Sequence, residues 1–224
     1  SHRRRNRRIR GHFIPALTGQ WGKSTLTAAK VVFGAWSKPD RLIIVVSPCA
    51  RQSGEFVKKA REFVSRLGIK PRGDGYNRIS VLLPNKSRIV GLPGSEATVR
   101  GFSNPHLVVV DEAARVRDDM FDAVNPMLAV GDGRLWVMST PFGKRGFFWK
   151  IWDSNDPEWE RISVPVTSCP RISQAFIAKE RVRMGQRMFE QEYLCKFSGV
   201  NDALFDRDQL LAAISSEVKS FWVK

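Results

Sequence analysis

The sequence contains no run of about 18 consecutive apolar residues, and no long apolar stretch follows its basic N-terminus. These absences argue against a transmembrane helix and a secretory signal peptide, so we expect a soluble, intracellular protein. It has three cysteines, Cys49, Cys169 and Cys195, which lie far apart, with no CxxC pair and no nearby histidine cluster. A zinc site is therefore not expected, and the thiols are interpreted as core or incidental residues.

Acidic residues are scarce. There are 22 aspartates and glutamates against 37 lysines and arginines, which gives a net charge of +15. This balance favours a polyanionic partner such as nucleic acid, with an anionic membrane surface as the alternative. Residues 3–10 contain six arginines and no acid, so residues 1–11 are predicted to form a basic arm. The arm either contacts nucleic-acid phosphates, for which the candidates are Arg3, Arg4 and Arg5, or is a solvated tail.

The 224 residues, 42% of them hydrophobic, suffice for one sizeable α/β domain. Short apolar runs alternate with helical patterns, and the runs cover residues 12–17, 41–47, 107–110 and 135–139. Such alternation is typical of a doubly wound, mostly parallel sheet flanked by helices. Residues 79–83 and 87–91 predict a hairpin inserted before the next core strand. We expect the domain to cover residues 12–200 and a tail to cover 201–224.

A phosphate-binding loop is predicted between the first strand and the first helix. Residues 17–25 read Leu-Thr-Gly-Gln-Trp-Gly-Lys-Ser-Thr, a variant of GxxxxGK[ST] in which Leu17 replaces the first glycine. In such a loop backbone N–H groups hold the phosphates, Lys23 reaches the β and γ oxygens, and the Ser24 hydroxyl binds magnesium. Taken alone, the pattern is equally compatible with a chance Gly-Lys-Ser.

Two adjacent carboxylates at the end of an apolar strand favour the nucleotide-binding interpretation. The strand pattern at 107–110 is Leu-Val-Val-Val, and Asp111 and Glu112 follow it directly. A buried parallel strand places its last residues at the edge of the sheet where ligands bind. Asp111 is suited to hold magnesium there and Glu112 to deprotonate the attacking water. An isolated Asp-Glu pair, by contrast, is commonly the solvated start of a helix.

A third group of residues follows the apolar run at 135–139. The chain reads Leu-Trp-Val-Met-Ser-Thr-Pro-Phe-Gly from residue 135 to 143. Because the next strand of such a sheet lies beside the nucleotide, Ser139 and Thr140 are predicted to sense the γ-phosphate. A strand followed by an ordinary Pro-Gly loop is the alternative. Lys144 and Arg145, at the start of the next helical pattern, either contact phosphates or are solvated.

Taken in order, Gly-Gln-Trp-Gly-Lys-Ser-Thr, Val-Val-Val-Asp-Glu-Ala-Ala and Met-Ser-Thr-Pro-Phe-Gly resemble the ATPase domain of phage large terminase subunits over nearly the whole chain. Residues 94–101 and 189–194 are also similar to that family. The resemblance implies an additional-strand, catalytic-glutamate P-loop ATPase that uses ATP and Mg²⁺ to drive double-stranded DNA into a viral procapsid. It further implies a homo-oligomeric ring, commonly of five subunits, with portal and small-terminase partners in the host cell cytoplasm.

The resemblance assigns roles to single residues. Ser24 and Asp111 bind magnesium, Lys23 and Glu112 are catalytic, and Ser139 and Thr140 form the coupling motif. The residues that bind the nucleotide are Gly19, Gln20, Trp21, Gly22, Lys23, Ser24 and Thr25. Arg100 is the candidate arginine finger that reaches the γ-phosphate of a neighbouring subunit, and a structural role is its alternative.

The sequence departs from the family pattern in three places. Phosphate loops of the family usually carry an arginine where this chain has Gly19, so that charge is missing or comes from elsewhere. The glutamine-containing segment that binds adenine in the family is not found among the few residues before the first strand, so weak nucleotide binding is expected. The acids after residue 200 have no strand framework around them, and nuclease activity is therefore not expected.

Two other functions compete with a packaging motor. A helicase fragment shares both nucleotide motifs but needs a second RecA-like domain, for which 224 residues leave no room. A DNA-binding or capsid-docking module with a degenerate phosphate loop fits Leu17 and Gly19. The intact Lys23, Asp111 and Glu112 argue against that module.

Overall fold

The structure is a computed structural model that describes residues 22–95, 99–129 and 133–199, together with the backbone of a strand at 11–15. Several predictions fall outside the described residues: the basic arm with Arg3, Arg4 and Arg5, the loop residues Gly19, Gln20 and Trp21, and the tail over 201–224. In the described part of the chain, no helix has the length and apolar character needed to cross a membrane.

The described strands form one sheet. They are β1 (Gly11–Pro15), β2 (Leu42–Ser47), β3 (Ser80–Leu82), β4 (Arg88–Pro93), β5 (Leu107–Asp111), β6 (Arg134–Ser139) and β7 (Trp159–Arg161). Their order is β3-β4-β2-β5-β6-β1-β7, and every neighbouring pair is parallel except β3 and β4. Strand β1 precedes the predicted phosphate loop, and β5 ends in Asp111. Because β6 lies between these two strands, the sheet has the predicted additional strand.

The predicted hairpin forms, but it is not an insertion. Strands β3 and β4 pair antiparallel, with Val81 opposite Ile89. Strand β4 also pairs in parallel with β2 over its whole length, from Leu42 opposite Arg88 onward. The apolar side chains of β4 are buried on both faces of the sheet, as expected for a central strand. The prediction of an insertion was therefore wrong, and β4 is an integral strand of the sheet.

Helices cover both faces of the sheet. They are α1 (Lys23–Ser37), α2 (Ala50–Arg66), α3 (Asp118–Ala129), α4 (Gly146–Asp153), α5 (Gln174–Met184) and α6 (Gln186–Leu194). Successive residues of a strand point to opposite faces, so Ile43 and Val45 pack with α1 and α2 while Ile44 and Val46 pack with α3 and α4. The doubly wound arrangement predicted from the sequence is confirmed.

The last described part of the chain, residues 166–199, forms a helical unit with a small core of its own. Val166, Ile177, Phe189, Tyr193 and Cys195 are buried together in it. The helical pattern predicted over residues 173–194 is interrupted at residue 185, a glycine with φ 76°, where α5 ends and α6 begins. The chain that follows α6 returns to the main domain and packs an aromatic ring against α4.

Two contacts secure this side of the domain. The ring of Phe197 lies 4.7 Å from that of Trp149 and 5.8 Å from that of Phe148, which joins the helical unit to α4. The guanidinium of Arg161, the last residue of β7, donates hydrogen bonds to the carbonyls of Ile151 and Trp152 at the end of α4. These bonds occupy carbonyls that the last turn of a helix leaves unpaired.

Candidate nucleotide site

Four of the predicted site residues, Lys23, Ser24, Asp111 and Glu112, converge at one edge of the sheet. Strands β1, β5 and β6 are parallel, so their carboxyl ends meet there, with Asp111 opposite Met138 and Pro15 opposite Ser139. Helix α1 begins at Lys23, and its first turn approaches the end of β5. The sheet topology thus brings residues that are far apart in sequence into one cluster, as expected at the ligand-binding edge of an open α/β sheet.

Lys23 is neutralised by two carboxylates. Its Nζ lies 2.6 Å from Glu112 Oε1 and 3.7 Å from Asp111 Oδ1, and the lysine side chain is only 4% exposed. A buried ammonium group is costly without such partners, because it has lost its hydration. In this state the cation that is predicted to reach the phosphates is bound to the predicted base. The predicted contact of Lys23 with phosphates therefore requires this ion pair to open.

Ser24 and Asp111 present oxygen atoms to the same place. The hydroxyl of Ser24 lies 3.5 Å from Asp111 Oδ2, and the backbone N–H of Glu112 donates a 3.1 Å hydrogen bond to Asp111 Oδ1. Burial raises the pKa of Asp111, while the neighbouring Lys23 charge opposes that rise. Magnesium prefers oxygen ligands from one or two protein groups together with substrate phosphates, and this pair fits that preference.

Glu112 has a backbone conformation that is uncommon for a residue with a side chain. Its φ and ψ are 54° and 42°, in the left-handed region, and its carbonyl accepts a 2.9 Å hydrogen bond from the N–H of Arg115. Such a conformation costs about 1–3 kcal/mol and persists where the surrounding structure holds it. The tight turn allows Asp111 and Glu112, consecutive in sequence, both to approach Lys23.

A cavity of about 320 Å³ opens beside these residues. Ser24, Asp111 and Glu112 form one side of it, and α2 forms the other with Arg51, Gln52, Glu55, Phe56 and Lys59. The sequence analysis missed this contribution from α2. A usable signal was present, since α2 follows the carboxyl end of β2 almost directly and the ends of neighbouring parallel strands share one edge.

The remaining predicted nucleotide residues differ in position. Gly22, half-buried, is the N-cap of α1, and Thr25 is exposed. Ser139 is fully buried, and its hydroxyl has no hydrogen-bond partner among the described residues. It lies opposite Pro15, beside the point where the chain enters the phosphate loop. Thr140 is half-buried, and the coupling role of Ser139 and Thr140 stays a prediction.

Arg100 lies away from the cluster around Lys23. It is exposed and lines a different cavity, whose other walls are Phe102, Ser103 and Asn104 and, from α3, Ala123, Pro126 and Met127. Helix α3 starts after the carboxyl end of β5 and leads back to the amino end of β6. This cavity lies against the second half of α3, and Arg100 is exposed there.

Lys144 and Arg145 are exposed in the loop before α4, and their contact with phosphates stays a prediction. The guanidinium of Arg145 lies 5.2 Å from the centre of the Phe142 ring, and that of Arg115 lies 4.3 Å from the same ring. Lys144 lies 5.9 Å from the ring centre of Trp149. The loops after β5 and β6 thus form one basic and aromatic surface, to which the sequence analysis had not assigned Arg115.

Comparisons with known proteins agree with this architecture. Residues 18–212 match the family model described as terminase large subunit, T4likevirus-type, N-terminal. The large terminase ATPase domain of Thermus phage P74-26 superposes with a TM-score of 0.73 at 19% identity, covering 85% of this chain and 89% of that one. A comparison with curated proteins finds no match.

Two further large terminase structures are similar over most of this chain. The HK97 bacteriophage large terminase gives a TM-score of 0.69 at 19% identity, covering 83% of this chain and 46% of that chain. The large terminase from a thermophilic bacteriophage in complex with ADP gives 0.71 at 10% identity, covering 84% and 48%. The chain therefore spans about half the length of these two proteins, and the likeness in fold does not favour the helicase alternative.

Proposed function

The chain belongs to the family of terminase large subunits of the T4-like-virus type, whose N-terminal region it matches, and on this premise we propose that it hydrolyses ATP to move double-stranded DNA into a viral procapsid. One observation supports the proposal above the others: Lys23, Asp111 and Glu112 meet at the carboxyl edge of the sheet within ion-pair distance. The portal, the small terminase subunit and the host cytoplasm are the partners and the location that this function requires.

The contacts suggest how the residues act. The triphosphate draws Lys23 from Glu112. Ser24 and Asp111 would hold Mg²⁺, which would neutralise charge on the phosphate oxygens. Glu112, freed from the ammonium, accepts a proton from the attacking water. Backbone N–H groups at the start of α1 bind the phosphates. Ser139 and Thr140 report the loss of the γ-phosphate to the rest of the subunit.

We assign the trans arginine to Arg100. Its exposed position, in a different cavity from Glu112, suits a residue that completes the site of the neighbouring subunit in a homo-oligomeric ring. Arg100→Ala should lower turnover about 10³-fold or more, because an arginine finger stabilises transition-state charge on the phosphates. Steady-state phosphate release from Mg²⁺-ATP, measured across protein concentration, checks this and should rise more than linearly for the wild type.

Mixing two inactive variants separates action in trans from action in cis. The Arg100→Ala variant keeps the catalytic base Glu112, and the Glu112→Gln variant keeps the arginine finger Arg100. A mixture should regain turnover where an Arg100→Ala site meets a Glu112→Gln neighbour, above the activity of either variant alone. No gain in the mixture at any ratio would assign Arg100 to a structural role, and a wild type without turnover would contradict the proposed ATPase itself.

The basic and aromatic surface around Phe142 is the proposed DNA contact. Replacing Lys144 and Arg145 together by alanine should weaken binding to duplex DNA of any sequence and reduce the slope of log affinity against log salt by about 1 for each residue. The matched control replaces Lys70 and Arg72 by alanine. These residues lie beside β3, the outermost strand on the side of the sheet away from β6 and β1. Fluorescence anisotropy at several salt concentrations measures both. Equal slopes for the two double variants would exclude this surface.

A further inference from the structure

The segments that follow β5 and β6 are joined by three contacts. The guanidinium of Arg115 lies 4.3 Å from the centre of the Phe142 ring. The backbone N–H of Phe147 donates a 2.7 Å hydrogen bond to Asp118 Oδ1. The Phe147 ring also stacks on that of Phe121, with ring centres 4.4 Å apart and an angle of 9° between the planes. Residues 112–121 and 142–147 therefore pack as one unit.

Glu112, the proposed base, belongs to this unit. Its carbonyl accepts the hydrogen bond from the N–H of Arg115, and its left-handed backbone persists only where the surrounding structure holds it. Ala113 and Val116 are buried in the same hydrophobic core as Phe147. The short turn from Glu112 to Arg115 therefore has little freedom of its own, and a shift of Arg115 changes the direction in which the Glu112 side chain leaves the backbone.

The proposed reaction needs two arrangements of Glu112. In the structure its carboxylate lies 2.6 Å from Lys23 Nζ, and this ion pair has to open before Lys23 can contact phosphates. Arg115 is exposed on the surface that is proposed to contact DNA. A ligand that binds one of two arrangements better shifts the equilibrium toward it. Because Arg115 and Glu112 share one turn, a DNA phosphate at Arg115 is placed to act on this equilibrium.

We propose that Arg115 is a positioning residue for Glu112, and that a DNA phosphate bound to its guanidinium favours the arrangement in which the ion pair between Lys23 and Glu112 is open. The proposal rests on the ATPase function and the DNA surface argued above and deepens them. DNA then tightens ATP binding, because Lys23 no longer has to leave a carboxylate. By linkage, bound ATP tightens DNA binding by the same factor. The strength of the ion pair limits this factor to about fivefold.

Calorimetric titration of a slowly hydrolysed ATP analogue, with and without saturating duplex DNA, measures the factor. DNA should tighten binding of the analogue to the wild type about two- to fivefold. Arg115→Ala should reduce the factor to about 1, which means no coupling, and Arg115→Lys, which keeps the charge, should recover part of it. The matched control is Arg117→Ala, which removes an exposed arginine of the same segment that pairs with Asp119 at 2.6 Å. It should keep the wild-type factor.

Two further variants separate this role from DNA contact and from folding. Replacing Lys144 and Arg145 by alanine should raise the DNA concentration needed for saturation, but should leave the factor unchanged once DNA is saturating. Glu112→Gln has no ion pair to open, so its affinity for the analogue should be the same with and without DNA. Adding Arg115→Ala to Glu112→Gln should then cause no further loss of coupling, which a merely structural role of Arg115 does not predict.

The outcomes distinguish this inference from the proposed function. If the wild type hydrolyses ATP but DNA does not change its affinity for the analogue, or if Arg115→Ala retains the full factor, the inference is wrong and the proposed ATPase stands. An affinity of Glu112→Gln that still rises with DNA would also overturn it, because no ion pair is left to open. If the wild type neither binds nor hydrolyses ATP, the proposed function fails and the inference fails with it.

Discussion

Glu112→Gln should lower ATP turnover by about 10²- to 10⁴-fold, the contribution typical of a general base, while raising affinity for ATP. Glutamine has nearly the same shape and keeps the backbone turn, but it cannot accept the proton of the attacking water. It also carries no charge, so it no longer holds Lys23 through the 2.6 Å ion pair. Releasing that competition should tighten ATP binding by up to about fivefold, the strength of a partly exposed ion pair.

Single-turnover hydrolysis and equilibrium binding measure the two effects separately. Glu160→Gln is the matched control, since it makes the same change at an exposed residue of β7. Turnover of Glu112→Gln within tenfold of the wild type would remove Glu112 from the role of base. Weaker ATP binding by this variant would mean that the ion pair does not compete with the phosphates, and the exchange proposed for Lys23 would be wrong.

The sequence predicted the part of the site that depends on neighbouring residues and on sheet topology. An apolar run ending in Asp111 and Glu112 indicates a buried strand with carboxylates at its carboxyl end, and a parallel sheet brings such ends together. The direct ion pair between Lys23 and Glu112 was not predicted. Helix α3 was not predicted, because Pro126 interrupts its pattern although the structure accommodates it inside the helix.

The contacts that were missed depend on packing between distant segments. Arg171 lies near Gly22, at the start of α1, because residues 166–199 form their own small core and dock on the main domain through Phe197. No local pattern marks such docking. Arg115 joins the surface around Phe142 for a similar reason, since the loops after β5 and β6 become neighbours only when their strands pair. In both cases a long-range contact gives a common residue its specific position.

Lys23→Ala should abolish turnover and also destabilise the protein. The variant loses the cation that stabilises charge on the phosphates, a loss worth at least about 10²-fold in rate. It also leaves Asp111, which is almost fully buried, beside Glu112 without the charge that offsets both. Breaking a buried ion pair from one side costs roughly 3 kcal/mol, which for a domain of this size corresponds to a fall of about 6–12 °C in Tm at neutral pH.

The pH dependence identifies Asp111 as the source of that destabilisation. Burial already raises the pKa of Asp111 above 3.8, so the folded state favours the protonated carboxyl. The folded protein therefore loses stability as the pH rises through the raised pKa. Removing Lys23 raises the pKa of Asp111 further. The difference in Tm between wild type and Lys23→Ala should therefore be largest at neutral pH and shrink as the pH falls and Asp111 becomes protonated.

Lys30→Ala, at an exposed position of the same helix, controls for helix propensity and net charge. A difference in Tm that stays constant from neutral to acidic pH would assign the loss to packing around the lysine stem instead of the carboxylate.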